Sequence, residues 1–289
     1  MIASLIKTMR PKQWVKNILI FAALIFDRKL TNLPAFLHSL AGFVIFSLFA
    51  SVVYIINDIT DIEADQQHPQ KCYRPIAAGK ISIQAAAVSA IILLIIATIS
   101  AFWLSPTFAI INICYLILNI SYSKWLKHIL LVDIITLASF YVLRVVAGVA
   151  LIQIERFSPW LYIVMTFLAL FIGAGKRRTE LFLLSDKANT HRRTLEGYTL
   201  HFLDEIITST ASITIISYSL YTFFAPNLPE NNLMMLSIPF VVYSIYRYQF
   251  LVQAKNVGDA PEDVLLSDKP IQMAIIIYGL AVLTIFYIY

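Results

Sequence analysis

The chain has 289 residues, of which 59% are hydrophobic and 13% charged, and its mean hydropathy is +0.76. This balance excludes an ordinary soluble globular protein and indicates a polytopic membrane protein. The formal net charge of +5 is typical of basic loops that face anionic lipid, so it does not require nucleic acid as a partner.

Nine apolar runs are predicted to cross the membrane as helices, several of them close to the ~20 residues that a bilayer core requires. They cover residues 15–33, 36–57, 82–104, 106–122, 130–152, 158–175, 203–225, 233–251 and 270–288. The predicted fold is an all-α polytopic bundle of about nine transmembrane helices, formed by a single domain over residues 1–289.

The basic residues between these runs predict the orientation of the chain. Nearly all of the 22 Lys and Arg residues fall on one side of the runs, and only Arg28, Lys29 and Arg156 fall on the other. The positive-inside rule then places the N-terminus and the long polar segments in the cytoplasm. We expect a multi-pass protein of the cell (inner) membrane whose active site opens to the cytoplasm.

The polar segment after the second run carries the strongest functional signal. Asn57, Asp61 and Asp65 recur at i, i+4 and i+8, so a helix presents them as one stripe, with Asp58 beside it. Closely spaced carboxylates repel each other unless a cation lies between them, and oxygen ligands suit a hard ion such as Mg²⁺. The four side chains are candidate metal ligands, and the three aspartates are candidate catalytic groups. A solvated helix end rich in acids is the alternative.

Cations follow this stripe directly. Lys71 and Arg74 stand where phosphate oxygens would lie, so they are candidate substrate-binding residues together with Asn57. The pattern Asn-Asp-x-x-Asp-x-x-x-Asp from residue 57 resembles the first Asp-rich motif of the UbiA superfamily of intramembrane prenyltransferases. Its continuation over 68–79, His-Pro-x-Lys-x-x-Arg-Pro-Ile-Ala-Ala-Gly, is similar to one branch, the decaprenyl-phosphate phosphoribosyltransferases.

The resemblance extends over nearly the whole chain and implies a UbiA-like bundle with a cytoplasmic-side cavity. The reaction that it implies transfers 5-phosphoribose from phosphoribosyl diphosphate to a polyprenyl phosphate lipid and releases diphosphate. The lipid phosphate is already an anion and needs no strong general base, so the chemistry depends on positioning and on charge neutralisation. Mg²⁺ bound by the aspartates would neutralise the leaving diphosphate. A homo-oligomer remains open.

The N-terminal stretch over residues 10–17 reads Arg-Pro-x-x-Trp-x-Lys-Asn. By position it is an interfacial start of the first helix, with Trp14 at headgroup depth. It is also similar to the opening of the phosphoribosyltransferase branch, which makes Lys16 and Asn17 candidates for lining the substrate pocket.

A basic island over residues 121–128 resembles the Tyr-x-x-x-Lys motif between the fourth and fifth helices of UbiA-like enzymes. A lysine at this place can bind a diphosphate as a point charge, although a positive-inside loop is an adequate alternative. Lys127 is the substrate-binding candidate, because the resemblance to the branch falls on it.

The fifth run contains two ionisable residues. Asp133 and Arg144 are 11 residues apart and therefore share a helix face. Ionisable residues inside a span are costly and indicate function, with a structural ion pair as the alternative. Both are taken as substrate-binding candidates.

The sixth run ends in Gly-Ala-Gly-Lys-Arg-Arg-x-Glu over residues 173–180, with Lys176, Arg177 and Glu180 as substrate-binding candidates. Aromatic-acceptor members of the superfamily carry a second Asp-rich motif near this place. The chain departs from that motif because it offers one acid and several cations. This departure disfavours a prenyl diphosphate donor, and a basic loop is the alternative for the cations.

Two later segments carry weaker signals. Arg192 and Tyr198 match a pattern of the branch, but a surface helix is an adequate alternative for them. The acidic segment 258–268 completes a metal shell, clamps the cations, or caps the last helix, and the sequence leaves these alternatives open.

Two other functions compete with phosphoribosyl transfer. A UbiA-type prenyltransferase that moves a prenyl group to an aromatic acceptor shares the fold but predicts the second Asp-rich motif. A transporter or flippase for a polyprenyl-phosphate sugar predicts paired broken helices near the midplane of the membrane. The acids gather at one membrane face instead.

Overall fold

The structure is a computed structural model that describes residues 2–67, 71–152, 158–185, 197–226, 228–229, 231–258 and 261–288. Within these ranges the chain is built from α-helices and short 3₁₀ helices. The α-helices are α1 (Ile2–Thr8), α2 (Phe21–Phe26), α3 (Leu33–Thr60), α4 (Ile62–Gln67), α5 (Ile83–Leu104), α6 (Pro106–Lys124), α7 (Val132–Val149), α8 (Pro159–Ser185), α9 (Leu200–Phe224), α10 (Ile238–Lys255), α11 (Pro261–Ser267) and α12 (Lys269–Tyr287). The 3₁₀ helices cover Pro11–Ile20, Lys71–Tyr73, Leu126–His128 and Leu233–Ser237.

Eight of the nine predicted spans are confirmed as helices that are long and apolar enough to cross a bilayer. The short 3₁₀ helix before α10 is part of one such span, Leu233–Lys255. Many apolar side chains on these helices are exposed, and Ile91, Ile95 and Ile99 of α5 are each more than half exposed. Exposed apolar faces are expected where lipid, not water, surrounds the protein.

The first predicted span, 15–33, has a different structure. A ten-residue 3₁₀ helix, Pro11–Ile20, leads directly into α2, and neither piece alone is a long α-helix. A 3₁₀ helix rises about 2.0 Å per residue and an α-helix about 1.5 Å, so the two pieces together extend over roughly 29 Å. This length is close to the ~30 Å of a bilayer core.

Contacts along α3 show how this segment runs. Trp14 donates a hydrogen bond to Ser51 at 3.1 Å, and Asn17 donates one to Ser47 at 2.9 Å. Further along, the ring of Phe21 lies 5.9 Å from that of Phe43. The segment therefore runs antiparallel to α3, and a ninth crossing of the membrane by this segment stays a prediction.

The described chain separates into two compact units. The first comprises residues 1–24, 29–124 and 143–153, and the second comprises 25–28, 125–142 and 154–289. In the first unit, Ile55 of α3 packs with Ile76, Ile81, Ala86 and Ala90. In the second unit, α8, α9, α10 and α12 enclose two apolar clusters, one around Tyr221 and Phe286 and one around Phe171 and Val252. A single domain over the whole chain stays a prediction.

Candidate active site

The first Asp-rich motif lies where α3 ends. The backbone N–H of Asp61 donates to Asn57 at 2.9 Å, and that of Asp65 donates to Asp61 at 2.8 Å. The helical path therefore continues from α3 into α4 with a bend at Asp61, whose φ is −96° and ψ 12°. The predicted i, i+4, i+8 spacing is present along this path.

Two aspartates and two arginines form what we call the acid–arginine cluster: Arg10, Asp58, Asp65 and Arg74. Nη1 of Arg74 donates to Asp65 Oδ2 at 2.5 Å and to Asp58 Oδ1 at 3.3 Å, and Arg10 donates to the same oxygen of Asp58. Both carboxylates are buried, with 2% and 4% of their side-chain surface exposed, whereas the arginines keep 28% and 25%. The cluster belongs entirely to the first unit.

The loop after α4 positions Arg74. The 3₁₀ helix Lys71–Tyr73 is followed by a turn in which the backbone N–H of Arg74 donates to the carbonyl of Lys71 at 2.9 Å and Gly79 adopts a positive φ of 68°. Ile76 and Ile81 of this loop are buried against Ile55 of α3. Apolar packing thus fixes the loop on the end of α3 and brings the guanidinium to the aspartates.

The other predicted residues of this region face different partners. Asn57 accepts a hydrogen bond from Ser123 Oγ of α6 at 2.7 Å. Asp61 is half-buried and makes no ion pair with any residue that the structure describes. Lys71 is exposed and Lys16 is half-buried. Of the predicted set, the structure brings together Asp58, Asp65 and Arg74.

The cluster can be tested for its fit to Mg²⁺, which in proteins usually takes one or two carboxylates together with phosphate oxygens. Asp58 and Asp65 each direct one oxygen at the same cationic atom, Nη1 of Arg74, so their oxygens converge as ligands of a metal ion do. Within the described ranges no group of three or more His, Cys, Asp or Glu side chains lies close enough to hold a metal ion. The donor set fits a Mg²⁺ ion that substrate phosphates complete.

Arg10 is the member of the cluster that sequence reasoning missed. It precedes the 3₁₀ helix, adopts a left-handed backbone with φ 53° and ψ 64°, and lies 5.0 Å over the ring of Tyr54. Arg10 begins the Arg-Pro-x-x-Trp-x-Lys-Asn stretch, which was the available signal, but only Lys16 and Asn17 were predicted from that stretch to line the substrate pocket.

A second buried cation lies in the first unit. Arg144 of α7 is 4% exposed, donates to Asn17 Oδ1 at 2.8 Å and to the Tyr115 hydroxyl at 3.2 Å, and lies over the rings of Phe46 and Tyr115. These contacts connect α7, α3 and α6 with the 3₁₀ helix Pro11–Ile20. A role in substrate binding stays a prediction.

The second unit contains a separate network at the start of α7. Arg177 Nε donates to Asp133 Oδ2 at 2.5 Å, and the Tyr198 hydroxyl donates to Asp133 Oδ1 at 2.6 Å. Arg177 also donates to Glu180, whose other oxygen lies 3.9 Å from Nζ of Lys176. Five predicted residues are therefore joined, but Asp133, Arg177 and Tyr198 are at most 4% exposed.

Burial also affects the Tyr198 hydroxyl of this network. Burial raises the pKa of the Tyr198 hydroxyl above its ordinary value, and the hydrogen bond to Asp133 raises it further. Tyr198 also accepts a hydrogen bond from the backbone N–H of Leu131 at 2.8 Å. The neutral hydroxyl therefore joins residue 198 to the segment just before α7.

The remaining predictions fall elsewhere. Lys127 is half-buried on the 3₁₀ helix Leu126–His128, and Arg192 lies outside the described residues. Asp268 pairs with Arg247 and accepts the N–H of Ile271 at 3.0 Å. Of the interpretations of the acidic segment 258–268, the structure shows ion pairing and helix capping at Asp268, because this residue pairs with Arg247 and starts α12.

The helices and the acid–arginine cluster define a class of protein: a polytopic helical membrane protein with acids and cations gathered beside a long apolar helix. The UbiA prenyltransferase family matches residues 18–265, most of the chain. The chain therefore belongs to the UbiA prenyltransferase family.

Individual proteins add detail. The chain is 34% identical to the decaprenyl-phosphate phosphoribosyltransferase of Mycobacterium tuberculosis, covering 94% of this chain and 91% of that protein. It is 32% identical to the same-named protein of Corynebacterium glutamicum, with coverage of 98% and 87%. A UbiA homolog from Archaeoglobus fulgidus, solved bound to DMAPP and Mg²⁺, has the same fold with a TM-score of 0.73, 17% identity, and coverage of 99% and 100%.

Proposed function

We propose that the protein transfers 5-phosphoribose from phosphoribosyl diphosphate to a polyprenyl phosphate, releasing diphosphate and forming polyprenyl-phosphoryl-5-phosphoribose. The names and coverage of the relatives from Mycobacterium and Corynebacterium support this reaction. The observation that carries it is the acid–arginine cluster, in which buried carboxylates and two partly exposed guanidinium groups meet at the end of an apolar helix. A diphosphate ester needs both kinds of group.

The proposed reaction requires few specialised side chains. The lipid phosphate attacks C1 of the ribose as an anion, so no side chain has to remove a proton from it. The negative charge that develops on the leaving diphosphate is the main cost, and preorganised cations lower it. When bound by Asp58 and Asp65, Mg²⁺ supplies part of this neutralisation.

Side chains of the protein supply the remaining neutralisation of the leaving diphosphate. Arg74 and Arg10 reach the same place as the carboxylates and can hold diphosphate oxygens through their planar forks of N–H donors. Asp61, half-buried and without an ion pair among the described residues, is the motif carboxylate that is most free to meet an incoming metal–diphosphate complex. Lys71, exposed on the following loop, adds a point charge for a second phosphate.

In the second unit, Lys176 is the best candidate for contact with substrate, because 34% of its side chain is exposed. Roles for Lys16, Lys127, Arg144 and Arg192 in binding the two substrates remain part of the proposal. The isoprenoid tail is as apolar as the bilayer, so the lipid substrate can lie among the spans with its phosphate near the motif.

We also propose where the reaction takes place. The distribution of basic residues over the polar segments supports a cytoplasmic position for the N-terminus and the motif, on the side where water-soluble phosphoribosyl diphosphate would be met. A homo-oligomer is an open part of the proposal.

Prenyl transfer to an aromatic acceptor is the second candidate, since the family is named for prenyl transfer. Where such enzymes carry a second Asp-rich motif, this chain has Glu180, whose carboxylate is already shared by Arg177 and Lys176. That pairing leaves one carboxylate, engaged with cations, for a second metal, and it favours phosphoribosyl transfer.

The test is diphosphate release by the protein purified in detergent, measured from phosphoribosyl diphosphate with and without polyprenyl phosphate and Mg²⁺. We expect release to require all three components. Asp61→Asn should lower the rate by at least about a hundredfold, because it removes a charge that acts on the leaving group.

Glu63→Gln is the matched control, because Glu63 lies on α4 with an exposed side chain; its rate should equal that of the wild type. Absence of release in every combination contradicts the proposal. Prenyl diphosphates with aromatic acceptors, and then transport of a polyprenyl-phosphate sugar, are tested next in that case.

A further inference from the structure

In the acid–arginine cluster the two carboxylates are fixed by burial, whereas the two guanidinium groups are on partly exposed side chains that can move. Asp58 and Asp65 are almost fully buried at the junction of α3 and α4, while Arg10 and Arg74 approach them with long side chains that remain about a quarter exposed. Rotation of those side chains can carry each guanidinium away while the carboxylates stay in place.

A metal ion and Arg74 compete for one position. Nη1 of Arg74 lies between Asp58 Oδ1 and Asp65 Oδ2, which is where an ion coordinated by both carboxylates would lie. Two cations cannot share that position, because like charges at contact distance repel strongly in a buried environment. Metal binding therefore displaces the guanidinium of Arg74, and it weakens the pair that Arg10 makes with Asp58.

Displacement is unfavourable when the metal arrives alone. Both guanidinium groups would then stand beside a divalent cation without their carboxylates. A diphosphate that arrives alone is also unfavourable, because it draws the arginines away and leaves two buried carboxylates unpaired. When both ligands arrive, the carboxylates face the metal, the arginines face the diphosphate, and every charge has a partner.

We propose that Arg10 and Arg74 are the resting counter-ions of Asp58 and Asp65 and move to the diphosphate group when Mg²⁺ enters, so that metal and diphosphate bind cooperatively. Arg10 thereby becomes a substrate-binding residue. The inference rests on the proposed function only in taking a diphosphate as the ligand of this cluster.

The experiment measures binding and thermal stability of the purified full chain with three additions: MgCl₂ alone, inorganic diphosphate alone, and both. For the wild type, we expect little change in the unfolding midpoint with either alone and a clear rise with both. After subtraction of a protein-free titration of Mg²⁺ into the same diphosphate solution, the Mg²⁺ dissociation constant of the protein from calorimetry should fall at least about tenfold when diphosphate is present.

Arg74→Gln provides the decisive comparison, since it frees the shared position while keeping a polar side chain. This variant should bind Mg²⁺ alone about tenfold more tightly than the wild type and should lose most of the effect of diphosphate. Arg10→Gln should change both quantities in the same direction but less, and it provides a second reading if Arg74→Gln is poorly folded. Arg247→Gln is the control, because that arginine pairs with Asp268; it should match the wild type.

Equal Mg²⁺ affinity of the wild type with and without diphosphate overturns the inference, and so does weaker binding of Mg²⁺ alone by both arginine variants. These measurements use inorganic diphosphate and need no turnover. Cooperative binding without phosphoribosyl transfer would remove only the proposed function, and transfer without cooperative binding would remove only this inference.

Discussion

The positive charge of Arg177 is neutralised by carboxylates within the second unit. It is 1% exposed, and its guanidinium pairs with Asp133 and Glu180. Breaking a buried pair leaves an uncompensated charge and costs roughly 3–5 kcal/mol. We therefore expect Arg177 to position Glu180 and, through it, Lys176, and we expect Lys176 to be the residue that meets a phosphate.

Tyr198 stabilises the same network, so its substitution is expected to lower the thermal stability of the protein. Tyr198→Phe removes a donor to Asp133 and an acceptor for Leu131, and unsatisfied buried groups cost about 1–3 kcal/mol each. The thermal midpoint of the purified protein should fall by several degrees. Tyr246→Phe, at a residue that is 56% exposed, is the control and should leave the midpoint unchanged.

A pH series adds a second reading of this variant. The pKa of Tyr198 is raised in the folded protein, so above the ordinary tyrosine value of about 10 the folded state retains a proton that the unfolded state loses. Stability contributed by this hydroxyl is therefore present below pH 10 and declines as the pH rises above it. The gap between wild type and Tyr198→Phe should narrow there, and a constant gap would contradict this assignment.

Sequence reasoning found Asp58, Asp65 and Arg74 because their residue types and spacing carry the chemistry within one short segment. It did not find Arg10, since Arg10 is 48 residues from Asp58 and only packing of the N-terminal segment along α3 brings them together. It also grouped Asn57 with the aspartates, whereas the structure turns Asn57 towards Ser123 of α6. Helical spacing predicts which side chains share a face of the helix, but it does not predict which residues of other helices they contact.

At the scale of the elements, Gly148 sets how closely the N-terminal segment approaches α7. A Cβ atom at this position would lie 2.0 Å from the backbone oxygen of Ile20, and a backbone atom cannot rotate out of the way. Gly148→Ala should therefore displace the 3₁₀ helix Pro11–Ile20 and lower the thermal midpoint, with a cost of at least about 1–3 kcal/mol.

Gly279→Ala is the matched control for this substitution. It also lies inside a long helix, α12, but nothing lies within 4 Å of an added Cβ. Since alanine favours a helix over glycine by about 1 kcal/mol, the midpoint should stay the same or rise slightly. A similar loss in both variants would contradict the close contact at Ile20.

The helices themselves were largely predictable, because apolar runs of sufficient length permit few structures in a bilayer. The 3₁₀ form of the segment Pro11–Ile20 was not. Its apolar run resembles the others in composition, and the residues that it contacts are distant in sequence: Ser47 and Ser51 on α3 and Gly148 on α7. A local pattern cannot report such tertiary contacts.

At the scale of the whole molecule, the orientation in the membrane is open to a direct test. In a background of Cys72→Ser and Cys114→Ser, single cysteines are introduced as Lys12→Cys and Asn231→Cys, both at exposed positions. A membrane-impermeant maleimide should label residue 231 on intact right-side-out cells stripped of their wall. It should label residue 12 only after the membrane is opened.

The reverse pattern would place the motif outside the cell and remove the cytoplasmic substrate from reach. Labelling of both positions on intact cells would contradict the crossing by the 3₁₀ segment. The predicted crossing follows the path of this segment along α3, from Arg10 beside Asp58 to Phe21 beside Phe43.

The hydrogen bonds of Asn17 have a consequence for how the chain is made. Its partners are Ser47, which is 30 residues later, and Arg144, which is 127 residues later. A buried polar side chain is unfavourable in an apolar environment until its partners arrive, and a ribosome delivers α7 long after Asn17. The hydrogen bonds of Asn17 are therefore complete only after α7 has been synthesised. A nascent chain arrested before Arg144 would still have a loosely held N-terminal segment.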